Sequence, residues 1–113
     1  IDENRLMTKA LKIMTEKKLG TLIVRNKKKY TTGIITDGQI RRFNSKNINL
    51  NSLKVKNVMT KNPIKVDKNI LATKALSIMN EKKITSLCVY EKKRKFIIIG
   101  ILHIHNILNK KIY

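Results

Sequence analysis

The chain has 113 residues, enough for one modest core or two small halves sharing an interface, and a formal charge of +19. No apolar run approaches the roughly 20 residues that span a bilayer, and no signal sequence precedes the first element, so the expected setting is the cytoplasm without a membrane. The single cysteine, Cys88, lies within Leu87-Cys88-Val89, which excludes a disulfide framework and reads as a small buried hydrophobe. The charge points towards polyanions, yet Lys, Ile and Asn make up 51 of the 113 residues, a bias that A/T-rich codons produce. The lysines are spread in pairs and triples, and Phe43, Phe96, Tyr30, Tyr90 and Tyr113 are scattered, so no specific nucleic-acid partner is expected. The chain opens at Ile1 and enters structure at once, as a piece of a longer protein would.

In chain order, Leu6, Ala10, Leu11 and Met14 recur at helical spacing and predict a first amphipathic helix that runs out at Lys17-Lys18. Thr21-Leu22-Ile23-Val24 is a short buried strand, a Lys-rich turn follows at 26–29, and Gly33-Ile34-Ile35 returns as the second arm of a hairpin. A short helix over 37–43 closes this part. Residues 44–57, rich in Asn, Ser and Lys, read as a linker with apolar anchors at Ile48, Leu50, Leu53 and Val55. Asn62-Pro63 marks a turn and Ile64-Lys65-Val66 a leading strand, of whose counterpart in the first half only Ile1 is left.

The pattern then repeats. At an offset of 65, 14 of the 24 positions from Asp2 to Arg25 are identical to their counterparts, Leu6, Ala10, Leu11 and Met14 facing Leu71, Ala75, Leu76 and Met79. Ser86-Leu87-Cys88-Val89, a turn at 91–95 longer by two residues, Ile97-Ile98-Ile99-Gly100-Ile101-Leu102 and a helix over about 104–110 complete the second copy. Two copies are too few for a solenoid and form a pseudo-symmetric pair. The expected architecture is α+β: two βαββα units packed through their sheets, with residues 1–43 and 58–113 as repeats and 44–57 between them.

Catalytic chemistry has little to work with. Seven carboxylates fall mostly on helix surfaces and turns, and glycines at 20, 33, 38 and 100 form neither a phosphate loop nor a dinucleotide fingerprint. His103 and His105, spaced i, i+2 at a strand-to-helix junction, admit a polar ligand contact or a capped junction. A metal site lacks a third ligand nearby, and none is expected.

This helix, hairpin and short helix, written twice, resembles the tandem CBS domain. The segments Ile34-Ile35-Thr36-Asp37-Gly38-Gln39-Ile40-Arg41-Arg42, Val58-Met59-Thr60-Lys61-Asn62-Pro63, Lys83-Ile84-Thr85-Ser86-Leu87 and Gly100-Ile101-Leu102-His103-Ile104-His105-Asn106-Ile107-Leu108 resemble the C-terminal CBS pair of bacterial arabinose-5-phosphate isomerases. Thr-Asp-Gly-x-Ile-Arg-Arg alone also resembles CBS pairs of sugar nucleotidyltransferases. The resemblance implies a regulatory, non-catalytic tail on a sugar-isomerase domain whose product feeds Kdo and lipopolysaccharide synthesis. It implies a homodimer through CBS pairs, a tetramer of the longer protein being the further option, and a nucleotide effector in clefts between the copies; no cofactor is required.

In such pairs the strand-end Thr and an Asp three residues later contact the ribose. The matching positions are Thr36 with Gln39, and His103 with Asn106, so neither repeat has the carboxylate and a generic adenosine sensor is not expected. The resemblance adds Asp37, Arg41 and Arg42 on the first short helix, Thr60 and Asn62 before the leading strand, Thr85 and Ser86 at a strand start, and His105. Anionic CMP-Kdo is the expected effector for so cationic a chain. A structural dimerisation module without a ligand is the alternative reading.

Overall fold

A computed structural model describes residues 1–108, in two compact units that divide after Asn62. The first contains helix α1 (Met7–Lys17), strands β1 (Thr21–Arg25) and β2 (Thr31–Thr36), helix α2 (Asp37–Ser45) and a two-residue strand β3 (Thr60–Lys61). The second contains β4 (Lys65–Asp67), α3 (Ala72–Lys82), β5 (Ser86–Tyr90), β6 (Gly100–His103) and α4 (Ile104–Leu108). Positions 109 and 110 of the expected last helix, and Tyr113, lie outside the described residues.

In the first unit β1 and β2 form an antiparallel hairpin with Leu22 opposite Ile35 and Val24 opposite Gly33. Leu22, Val24 and Ile35 alternate inward, as a half-buried strand requires, and meet Met7, Ala10 and Met14 of α1. Of the expected stripe, Ala10 and Met14 are buried and Leu11 packs against the core; Met7 joins them, fully buried, whereas Leu6 is the N-cap and is exposed. Leu71, likewise the N-cap of α3, is exposed while Ala75 and Met79 are buried. Each helix starts one residue later than the apolar spacing indicates, and the extended backbone of the N-cap leucine takes its side chain off the helical face.

Both long helices end alike. Lys18 (φ 53°) and Lys83 (φ 55°) are left-handed C-cap residues whose N–H groups turn back to the last-turn carbonyls, the geometry glycine usually supplies. Leu19 and Ile84 follow, donating to Met14 and Met79 carbonyls at 2.9 and 3.0 Å, so the chain reverses towards the next strand at the same point in each unit.

The expected linker, residues 44–57, is more structured than its composition indicates: Asn44 and Ser45 still belong to α2. Single 3-10 turns at Leu50–Ser52 and Val55–Asn57 drive Leu50, Val55 and Val58 into the first core. Beyond them β3 pairs antiparallel with β2, Lys61 opposite Gly33 and Thr60 opposite Ile34. The stretch preceding the second repeat's leading strand is therefore an integral part of the first unit.

In the second unit β4 runs parallel to β5, and β6 pairs antiparallel to β5 on its other side. Asp2 makes the matching parallel bridge to Arg25 in the first unit. Val66, Ala75, Met79, Leu87 and Ile107 form the second core. The second arm is shorter than its isoleucine run: β6 begins at Gly100, with Ile98 buried and Ile99 tethered through its N–H to the Val89 carbonyl at 2.8 Å. The longer turn before it, with left-handed Lys92 and Lys93, consumes the residues that would extend the strand.

Candidate functional site

The strand-to-helix junctions carry most of the expected ligand residues. In the first unit β2 ends at Thr36, the N-cap of α2. The Thr36 hydroxyl accepts from the Gln39 N–H at 3.3 Å, and the Gln39 side-chain carbonyl accepts from the Thr36 N–H at 2.8 Å, a reciprocal capping box. The same Gln39 oxygen also accepts a hydrogen bond from the Thr36 hydroxyl at 3.3 Å. On its other side the Gln39 amide nitrogen donates to the Val58 carbonyl at 3.1 Å and to the Thr60 hydroxyl at 2.5 Å. Gln39 is only 6% exposed, so both ends of its amide are occupied by the fold.

The second junction is built on the same plan from different groups. The His103 N–H donates to the Asn106 side-chain oxygen at 2.8 Å, the counterpart of the Gln39 bond. The His105 N–H donates to His103 Nδ1 at 3.2 Å, so the imidazole replaces the threonine hydroxyl as helix cap. An accepting Nδ1 places the proton of the neutral ring on Nε2. The rings of His103 and His105 stack with centroids 4.8 Å apart. Among the described residues no hydrogen bond engages His103 Nε2, the His105 ring nitrogens or the Asn106 amide nitrogen.

The other expected residues divide between these junctions. Thr60 joins Thr36 and Gln39, whereas Asn62, exposed and left-handed at φ 50°, makes the bend into Pro63. Asp37 points elsewhere: its exposed carboxylate lines a shallow recess with Leu11, Met14, Lys18 and Gly20 beneath α1. Arg41 and Arg42 are exposed, with Arg42 lying back along the first turn, 3.5 Å from where a Cβ at Gly38 would stand. Ser86 sits opposite His103 in the β5–β6 register, and the exposed Thr85 accepts the Ile104 N–H at 2.8 Å through its carbonyl.

Sequence reasoning missed a cavity of about 410 Å3 in the second unit, lined by Ile70, Ile99, Ile101, Ile107 and Asn106, with Asp67 and Lys68 also contributing. Lys68 is engaged by Glu91 at 2.7 Å, whose hydrogen bond holds the ammonium pKa above its ordinary range. The repeat carries no signal for it: Gly100 aligns with Gly33, and their different surroundings appear only in the folded units. Among the described residues no group of three metal-ligating side chains occurs, and no helix is long and apolar enough to cross a membrane.

Comparison with known proteins fits this geometry. The CBS domain family model matches residues 1–46 and 55–112. An uncharacterized protein of Rickettsia prowazekii is 38% identical over 107 residues, covering 95% of this chain and 32% of that protein. Arabinose 5-phosphate isomerase KdsD of Yersinia pestis is 37% identical over 99 residues, 88% of this chain and 29% of that enzyme. The chain thus spans about a third of the length of these relatives. Among solved structures, CBSX2 in complex with AMP superposes with a TM-score of 0.81 at 22% identity, covering 98% of this chain and 84% of that one. Duplicated units, matching caps and family match converge: this chain belongs to the CBS domain family.

Proposed function

We propose that the chain is the regulatory CBS pair of an arabinose 5-phosphate isomerase acting in the cytoplasm in Kdo and lipopolysaccharide synthesis. It senses a nucleotide or nucleotide sugar, with CMP-Kdo as the effector its charge best suits, and associates as a homodimer beside the isomerase domain. The carrying observation is the 37% identity to the Yersinia enzyme across 88% of this chain. The caps refine where a ligand is contacted. Thr36 and Gln39 are committed to each other and to residues 58–60, whereas His103, His105 and Asn106 keep polar side-chain atoms with no described hydrogen-bond partner. This supports assigning ligand contact to the second unit, through imidazole and amide rather than a ribose-binding carboxylate. Occupancy acts by favouring one arrangement of the longer protein over another.

Calorimetry of the chain with AMP, ATP, CMP and CMP-Kdo at physiological salt tests this. The expected result is saturable binding of a cytidine ligand, weakened by His103→Ala and by Asn106→Ala. A folded chain that responds to none of the four overturns it. The committed state of Gln39 favours a second reading, an association module without a ligand, which a dimer in sedimentation with no ligand response selects.

A further inference from the structure

The far end of each hairpin carries a different chemistry from the strand-to-helix junction. The turn between β1 and β2 reads Asn26-Lys27-Lys28-Lys29-Tyr30, and the turn between β5 and β6 opens with Glu91-Lys92-Lys93-Arg94-Lys95-Phe96. The turns differ in length, yet each sets a run of cations beside an exposed aromatic ring, Tyr30 at 44% and Phe96 at 65%. The fold does not consume these cations. The first turn is held by the Asn26 side-chain oxygen, which accepts from the Lys28 and Tyr30 N–H groups at 2.9 and 3.1 Å. The second is held by the Arg94 N–H on the Glu91 carbonyl at 3.1 Å, and its one carboxylate, Glu91, is taken by Lys68 at 2.7 Å. Among the described residues, Lys27, Lys28, Lys29, Lys92, Lys93 and Arg94 are exposed and pair with no carboxylate. Aromatic rings here already receive ammonium groups: Lys65 Nζ stands 5.3 Å from the Phe96 ring centre, and Lys95 Nζ 6.0 Å from that of Tyr90.

Cations beside an exposed ring fit a polymer that alternates phosphates with flat bases. We infer that the two hairpin tips bind single-stranded nucleic acid without sequence preference, a base stacking on Phe96 or Tyr30 while its flanking phosphates lie against the lysines. Tyr30, Tyr90 and Phe96 are scattered along the sequence, but the hairpins set each of them beside a basic turn. An anionic bilayer fits less well, because it takes up patches of apolar side chains. Next to Phe96, Ile97 is half-buried and Ile98 fully buried, which leaves one ring at that tip to insert. The surface is separate from the effector site proposed above, since Thr36 and His103 lie at the opposite ends of their hairpins.

The probe is a labelled oligo(U) RNA of about 20 nucleotides, with an oligo(dT) strand of equal length alongside, titrated with the 113-residue chain and read by fluorescence anisotropy. Saturable binding at physiological salt is expected, weakened about fivefold or more by Phe96→Ala and restored by Phe96→Tyr. Lys92→Gln combined with Lys93→Gln is expected to flatten the slope of log K against log salt by about 1. Lys74→Gln combined with Lys82→Gln removes the same charge from the exposed side of α3 and is expected to leave the slope nearly unchanged. Circular dichroism verifies that each variant folds. Three outcomes overturn the inference: no saturable binding of either strand, a Phe96→Ala chain that binds as tightly as its parent, or an α3 double variant that weakens binding as much as the tip variant. Phe96-dependent binding to phosphatidylserine vesicles but to neither oligonucleotide would assign the tip to a lipid surface and also overturn it.

Discussion

The side-chain amide of Gln39 donates to the hydroxyl of Thr60, joining the first turn of α2 to a strand 21 residues further on. The same nitrogen reaches the Val58 carbonyl, and the amide oxygen closes the helix cap. One buried side chain therefore holds a helix terminus and a sheet edge together.

Gln39→Asp, which installs the carboxylate that the family resemblance implies at this position, is expected to destabilise the chain by about 2–3 kcal/mol, because an anion cannot donate to the Val58 carbonyl. Thr60→Val removes one bond and costs about 1 kcal/mol. Urea unfolding measures both, and an equally stable Gln39→Asp chain that gains AMP binding would refute this account of the site.

The equivalent glycines respond oppositely to alanine. Gly33→Ala drives a methyl against the Thr60 carbonyl and Met59, with an expected loss of about 1–3 kcal/mol. Gly100→Ala enters open space at a negative φ and is expected to be neutral or to stabilise by up to about 1 kcal/mol. Thermal unfolding of the two single variants checks the contrast.

Lys18→Gly and Lys83→Gly relieve left-handed residues at both helix ends. Each is expected to stabilise by about 0.5–1 kcal/mol, since the relief exceeds the entropy glycine adds to the unfolded chain. A shift of the urea midpoint without a change of slope is the signature.

Burial pushes the Cys88 thiol pKa up to about 11, against the opposing charge of Lys65. The folded state thus favours the protonated thiol: its contribution to stability is complete below the ordinary value of 9.0 and is lost as pH rises through about 11. At pH 8 a thiol reagent is expected to react far more slowly with the native chain than with the urea-unfolded one. Equal rates would place Cys88 at the surface.

Replacing the imidazole cap separates its structural from its binding role. His103→Thr retains an acceptor and is expected to keep stability within about 0.5 kcal/mol, while His103→Ala loses about 1 kcal/mol. If both lose cytidine-ligand binding alike, the ring contacts ligand; if Thr preserves it, the histidine serves only as a cap.

Much of the fold was legible because it is written twice: the paired helices and the hairpins follow from matched apolar spacing, while the leading strand expected at Ile64-Lys65-Val66 and found at Lys65–Asp67 followed from its own alternation after Asn62-Pro63. Phase was harder to read. Leu6 and Leu71 look like core residues, yet an N-cap position turns them outward and hands the buried site to Met7 in the first unit. β3 was invisible because its two residues are both exposed and carry no alternation. At the site, residue types identified the junctions, but that Gln39 is buried and bonded on all sides depends on Val58 and Thr60, which no local pattern links to it.

The late arrival of β3 also bears on synthesis. The hairpin of β1 and β2 leaves the ribosome well before Thr60 and Lys61, and the core positions of Val55 and Val58 stay vacant until then. The nascent first unit must wait, incompletely sheeted, for the opening residues of the second repeat, so any translational pause before Thr60 and Lys61 have cleared the ribosome would prolong its exposure to chaperones and proteases.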